Sequence, residues 1–299
     1  MLPLAPALAL AGCGWSGSVP KRQAQPHYVL GTAYQAGGVW YYPSQSFNAE
    51  ETGLAAIQPD RHPALTADGE TFDQTVLAGA HQTLQLPCIV RLTNLENGRA
   101  ITLRLNDRGP ASPARAVAVT RRAATLLGFA GAGVARVRLT VLGGPSRAVA
   151  TALRGEAADR LDIASAPRGA VEQVDLPPPA GVTRAASAPR AFSVPFASAA
   201  ESLQPVLENV PDRLPETVTQ SAPEPGSLYV RMGVFSRREF AERQRARAAG
   251  LGAAIEASRV GRSETFLVRI GPIDDVAEAD RVLRQVIRDG IPDARIVVE

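Results

Sequence analysis

The sequence predicts two folded units joined by a disordered linker: a mainly β N-terminal unit, read as a small β-barrel with one or two helices, and an α+β C-terminal unit. Three observations carry that prediction. Two β-type runs, Ile89 to Leu95 and Arg99 to Leu105, flank Glu96-Asn97-Gly98, and an Asn-Gly pair suits a tight hairpin turn. Between about Gly143 and Gly226 the composition shifts to repeated Ala-Ser and Ala-Pro, with Pro177-Pro178-Pro179 and only Phe192 and Phe196 as aromatics. Beyond Ser227 the chain repeats itself: Tyr229-Val-Arg-Met-Gly233 matches Leu267-Val-Arg-Ile-Gly271, and Ala241-Glu-Arg243 matches Ala279-Asp-Arg281 at the same offset.

The chain opens on an apolar run, MLPLAPALALAGC, ending at Cys13. It is too short to cross a membrane, which takes about 20 residues. Its close in Leu10-Ala11-Gly12-Cys13 resembles the bacterial lipobox, in which cleavage precedes a cysteine that then carries lipid. The alternative is a buried N-terminal helix with a chance cysteine, which the Gly, Ser and Pro just after it argue against. The polar stretch from Ser16 to Pro26 reads as a tether. In the first unit, Ile101, Leu103 and Leu105 alternate with Thr102, Arg104 and Asn106, as in a half-buried strand. Thr120 is placed to cap a short helix running to Leu127, with Gly128 as its stop, and Val134 to Leu142 reads as a closing strand. The Pro/Ala/Ser segment cannot bury enough apolar surface to offset its ordering entropy and reads as a disordered spacer. The repeat then predicts strands near Tyr229 to Phe235, Ala254 to Val260, Thr265 to Ile270 and Arg295 to Val298. Helices are expected near Arg237 to Ala249 and Val276 to Asp289. The sum is one antiparallel sheet with two helices on one face.

Length and charge narrow the function classes. At 299 residues, 45% hydrophobic, the chain exceeds one ordinary domain and can fill real cores. The formal charge is only +3, and Lys21 is the sole lysine among 32 basic residues. With acids interleaved and no basic run set with aromatics, the pattern argues against nucleic-acid binding. The cysteines are Cys13 and Cys88. If Cys13 is acylated it cannot pair, and Cys88 is then a small buried thiol, with no second cysteine or histidine at metal-ligand spacing.

The chemistry-bearing stretch runs from Thr66 to Pro110 and holds Glu70, His81 and Asp107 beside turn residues and small side chains. Singly, each has a bland reading. Glu70 follows Asp68-Gly69 and could be a solvated turn acid; His81 could be a hydrogen-bonded structural histidine; Asp107 could pair with Arg108 or cap a turn. The segments TADGETFD, LAGAHQTLQLP, VRLTNLENGR and LNDRGP, with the lead-in VWYYPSQSFNAEETGLA, resemble the rare lipoprotein A (RlpA) family over Val29 to Leu142. Likewise VRMGVFS, VRIGPI and PDARIVV resemble the SPOR domain, a septal peptidoglycan-binding module, over Ser227 to Glu299.

The resemblance implies a six-stranded double-psi β-barrel followed by a SPOR domain. Its boundaries are a lipoprotein signal peptide over 1–12, a tether over 13–28, the barrel over 29–143, a linker over 144–226 and the SPOR domain over 227–299. It implies a lytic transglycosylase that breaks the β-1,4 bond after N-acetylmuramic acid in strands stripped of stem peptides. The muramic 6-hydroxyl closes a 1,6-anhydro ring, and no step needs a metal or organic cofactor. Asp107 would be the principal acid/base, with Glu70 and His81 in the same groove positioning substrate. Phe235 and Arg269 would bind glycan on the SPOR sheet. Lipid on Cys13 would hold the protein to a membrane, the outer one by the residues after Cys13, and the SPOR domain would bring it to the division septum. Two departures stand out. Ala118 occupies a position where the family carries aspartate, and Ala55-Ala-Ile-Gln-Pro59 replaces an aromatic-bearing segment. They motivate the competing expectation of a catalytically silent peptidoglycan-binding protein.

Overall fold

In the first unit, β-branched and leucine side chains recur at every second position, which suits strands that bury one face. The computed structural model describes residues 23–61, 65–158, 213–260 and 263–299. A leading hairpin, β1 (Tyr34–Ala36) and β2 (Val39–Tyr41), turns through Gly37 and Gly38, both at positive φ. Gly37 also lies so close to the Ala111 carbonyl that a Cβ would collide with it.

Six strands then form the barrel: β3 (Glu50–Ile57), β4 (Ala78–His81), β5 (Cys88–Asn94), β6 (Arg99–Asp107), β7 (Val117–Val119) and β8 (Val134–Val141). Their order is β4-β7-β3-β8-β5-β6, and a further β4–β6 pairing closes the ring. The pairs β3–β7 and β4–β6 are parallel and the others antiparallel. Leu86, Val90, Leu92, Leu103, Leu105, Val117, Val119 and Leu139 fill the interior. Helix α1 (Arg121–Leu127) is capped as expected: Thr120 accepts from the Ala123 amide, and Gly128 ends it at φ 79°.

Strand β6 departs from the half-buried expectation. Arg104 and Asn106, on its outward face, are 8% and 5% exposed, because the chain around Glu70 lies over them. Cys88 is fully buried, and burial lifts its thiol to about 11 despite the Ser146 hydroxyl beside it. It is expected to stay inert to a thiol reagent at pH 8 and to react fully in denaturant; rapid labelling of native protein would contradict its placement.

The ends of the predicted spacer are ordered, a correction to the expected linker over 144–226. Helix α2 (Gly143–Ala158) packs on β5, burying Val149 and Ala150. Ser146 donates to the Ile89 carbonyl and accepts from the Ile89 amide, both at 3.0 Å. Strand β9 (Val218–Gln220) adds to β6, with Arg99 opposite Gln220 and Ile101 opposite Val218. Part of the expected tether is also engaged, since the Gln25 and His27 amides bond to the Gly69 and Asp68 carbonyls. The expected signal peptide over 1–12, Cys13, residues 14–22 of the expected tether and residues 159–212, including Phe192 and Phe196, lie outside the described residues.

Gly98, in the β5–β6 turn at φ 75°, lies directly under Ser221, whose carbonyl a Cβ would strike. Gly98→Ala is expected to cost about 1–2 kcal/mol from backbone strain alone, and more from displacing β9. Denaturant midpoints of the two proteins measure it, and equal midpoints would rule out that close approach.

The C-terminal unit follows the repeat: β10 (Leu228–Phe235), α3 (Arg238–Arg247), β11 (Ala254–Val260), β12 (Ser263–Ile273), α4 (Val276–Arg288) and β13 (Arg295–Val298). The sheet order is β11-β12-β10-β13, all antiparallel. Asp275 caps α4 by accepting from the Glu278 amide at 3.0 Å, and Ala279, Leu283 and Val286 bury its inner stripe. Leu54 and Leu95 of the barrel join this second core. Arg115 pairs with both oxygens of Asp280 at 2.7 and 2.8 Å, and the Thr52 hydroxyl donates to the Val298 carbonyl at 2.6 Å.

Candidate active site

The turn at 66–70 organises the acidic residues. Thr66 donates to Asp68 Oδ1 at 2.7 Å, the Glu70 amide donates to the same oxygen at 3.2 Å, and Gly69 takes φ 85° between them. The Ala67 amide points the other way, donating to Asp107 Oδ1 at 3.0 Å.

Asp107 ends β6 and is 4% exposed. Its Oδ1 also accepts from the Arg108 amide at 2.8 Å, and its Oδ2 faces the guanidinium of Arg61, which stacks over Phe72 at 5.0 Å. The cation on Asp107 is therefore Arg61, not the neighbouring Arg108 weighed from sequence. The Arg108 guanidinium turns to the Leu84 and Leu30 carbonyls. Every neighbour of the Asp107 carboxylate in this set is a donor, so both of its oxygens are held in fixed directions.

His81 ends β4. Its Nδ1 accepts from the Thr83 and Leu84 amides at 3.1 and 3.0 Å, so the ring proton sits on Nε2, 2.5 Å from Glu51 Oε1. Burial pushes the Glu51 carboxyl up, but the His81 ring, Arg295 and Arg231 outweigh it and hold it below the usual carboxylate range. Glu70 lies between Asn106 Nδ2, at 2.8 Å, and the Arg104 guanidinium.

His81 and Asp107 lie at the β4–β6 seam, where Ala80 pairs with Asp107, and Glu70 ends the 66–70 turn that bonds to Asp107, but the three do not line one cavity. His81 opens on a cleft of about 960 Å³ with Glu51, Trp40, Tyr42, Arg231 and Arg295. Glu70 opens on a second cavity of about 420 Å³ with Arg104, Asn106 and Arg213, and Asp107 lines neither of the two. Ala118 pairs with Ala80 from the other side, so its methyl lies in the same cross-strand row as Asp107.

On the C-terminal sheet, Phe235 is half-buried against the core. Arg269 stacks over Tyr229 at 4.1 Å and pairs with Glu256 and Glu299.

Several residues escaped the sequence reading. Arg61 and Glu51 carry no local signal, because their partners lie 46 and 30 positions away. Trp40 and Tyr42, 53% and 67% exposed, give the cleft the aromatic surface that the segment 55–59 lacks, and the run VWYY could have announced it. Asp68 is wholly buried with Oδ2 unbonded; burial first and the Glu70 charge second lift it to about 7.

A closed six-stranded barrel with two parallel strand pairs and an appended two-helix sheet define a double-psi β-barrel protein with a SPOR domain. The family model described as lytic transglycolase matches residues 41–139, and that of the SPOR domain matches 224–296. Two proteins named endolytic peptidoglycan transglycosylase RlpA, from Pseudomonas aeruginosa strains UCBPP-PA14 and PAO1, are 32% and 33% identical over 270 residues. Each alignment covers 88% of this chain and 76% of the relative. A protein of the same name from Rickettsia felis is 37% identical over 120 residues, 39% of this chain and 53% of its own length. The chain belongs to the RlpA family.

Proposed function

We propose that the protein is a peptidoglycan lytic transglycosylase acting within glycan strands, cutting after N-acetylmuramic acid to leave 1,6-anhydro ends. The observation that supports this best is Asp107, a buried carboxylate held by the Ala67 and Arg108 amides and Arg61 at the barrel seam. One carboxyl serves both proton transfers of the reaction: it donates to the leaving glycosidic oxygen, then accepts the proton of the attacking 6-hydroxyl, so the cycle closes without water. Glu70, fixed by Arg104 and Asn106, and His81, fixed by Glu51, position the sugars and set the local charge.

The same reading takes the preferred substrate to be strands stripped of stem peptides, with the SPOR domain enriching the protein at the septum. Phe235 and Arg269, the latter stacked over Tyr229, are the residues taken to contact glycan on its sheet. Cys13 would carry the lipid that anchors the protein to the outer membrane, facing the periplasm.

Incubating the full chain with peptide-stripped sacculi and analysing the released material by mass spectrometry tests the reaction. Anhydro-ended fragments are expected. Binding without release would instead favour the silent, strand-gripping alternative, which Ala118 in the row of Asp107 motivates.

A further inference from the structure

The C-terminal domain is attached to the barrel at separate places. Strand β9 extends β6, Leu54 and Leu95 enter the second core, and Arg115–Asp280 and Thr52–Val298 close the contact. The cleft that His81 and Glu51 line is the space this docking leaves, so its far wall belongs to the C-terminal sheet.

That wall carries more positive charge than the acids facing it match. The internal repeat sets Arg231 of β10 directly opposite Arg269 of β12, and β13 sets Arg295 opposite Arg231 on the other side. Of the three, Arg269 is neutralised by Glu256 and Glu299. The side chains of Arg231 and Arg295 make no hydrogen bond or ion pair at contact distance among the described residues. Burial first, and then Arg295, hold Arg231 below its ordinary value, against the pull of Glu51. Glu51, which bonds to the His81 ring and is stabilised by both arginines, is one carboxylate against two cations. Arg115 and Glu50, also on the lining, are paired with Asp280 and Arg138, which leaves Asp293 at the exposed rim as the remaining acid.

We propose that this interdomain cleft is a single strand-binding site, gripped by both domains at once, in which Arg231 and Arg295 bind sugar-borne carboxylates while Trp40 and the His81–Glu51 pair hold the same strand from the barrel side. The proposal rests on the peptidoglycan reading above. Removing a stem peptide exposes the carboxylate of the muramic lactyl group, and a planar guanidinium pair matches that anion bidentately. A cleft of about 960 Å³ is at the upper end of the range for ligand sites and takes several sugars. Recognition of the stripped strand and its presentation to the barrel are then one event rather than two events joined by a tether.

Calorimetry of the full chain with a short, carboxylate-bearing glycan fragment tests it, with the same fragment amidated as the probe of charge. One fragment per chain is expected, bound at least tenfold more weakly after Trp40→Ala and also after Arg231→Gln/Arg295→Gln. The arginine variant should no longer distinguish the acid from the amide. Arg295→Gln alone, at an exposed position, should show the same trend if the double variant folds poorly. Two fragments per chain, no binding, unchanged affinity in the arginine variants, or equal affinity of wild type for acid and amide would each overturn it. A chain that binds in this manner yet releases no anhydro ends would keep this inference and remove the transglycosylase reading.

Discussion

Asp107→Asn is expected to lower the rate of anhydro-end formation by about 10³-fold, within the 10²–10⁴-fold range of a positioned acid/base group, while leaving strand affinity close to wild type. The geometry makes this a clean substitution on one side and a costly one on the other. An amide oxygen in place of Oδ1 still accepts from the Ala67 and Arg108 amides. The amide nitrogen would then face the Arg61 guanidinium, donor against donor, and lose the ion pair. Losing a hydrogen bond to a charged group costs about 1–3 kcal/mol, so a modest drop in the denaturant midpoint should accompany the rate loss. Initial rates on stripped strands, read beside equilibrium binding, separate the two effects. An unchanged rate would mean that the proton transfers run through another group and that Asp107 only ties the 66–70 turn to the barrel.

Asp68→Asn should reshape the dependence of stability on pH. In the folded barrel Asp68 retains its proton to about 7, because it is wholly buried beside Glu70, which already holds the Arg104 and Asn106 donors. In the unfolded chain the same carboxyl ionises near 3.8. The folded state therefore binds the extra proton between those values, and stability falls as pH rises from about 4 towards 7, then levels off. Lifting a carboxyl from 3.8 to about 7 corresponds to about 4 kcal/mol, an upper bound for a group coupled to its neighbour. Asparagine has the same shape and no such proton, so the variant should match wild type near pH 4 and exceed it at pH 8. The melting temperature at pH 8 should rise by roughly 5–10 °C. Parallel melting curves for the two proteins across pH 4 to 8 would show that Asp68 is ionised in the fold.

How much could be read in advance follows the range over which each signal acts. The hairpin at Asn97-Gly98, the helix between Thr120 and Gly128 and the strand–helix order of the C-terminal repeat all emerged where local chemistry placed them. Their causes lie within a few residues: a positive-φ turn, a hydroxyl cap, a side-chain period. Helix α2 was missed because Gly143-Gly144-Pro145 looks like a breaker. In the first helical turn, however, proline lacks only an amide that has no partner there. Strand β9 was missed because it pairs with β6 through its main chain, and its side chains are exposed and carry no pattern.

The same division runs through the site. Glu70, His81 and Asp107 are candidates that their motifs mark, but nothing local says that Arg61 meets Asp107, that Glu51 meets His81, or that Glu70 opens on a different cavity from His81. The repeat wrote Arg231 and Arg269 into equivalent places, yet sheet register and docking left one neutralised and the other open to the cleft. Turn chemistry and alternation were settled along the chain, since they depend on neighbours in sequence. Which charges pair, and which walls face each other, was settled by packing, because closing the barrel and docking the second sheet bring together side chains that no short segment contains.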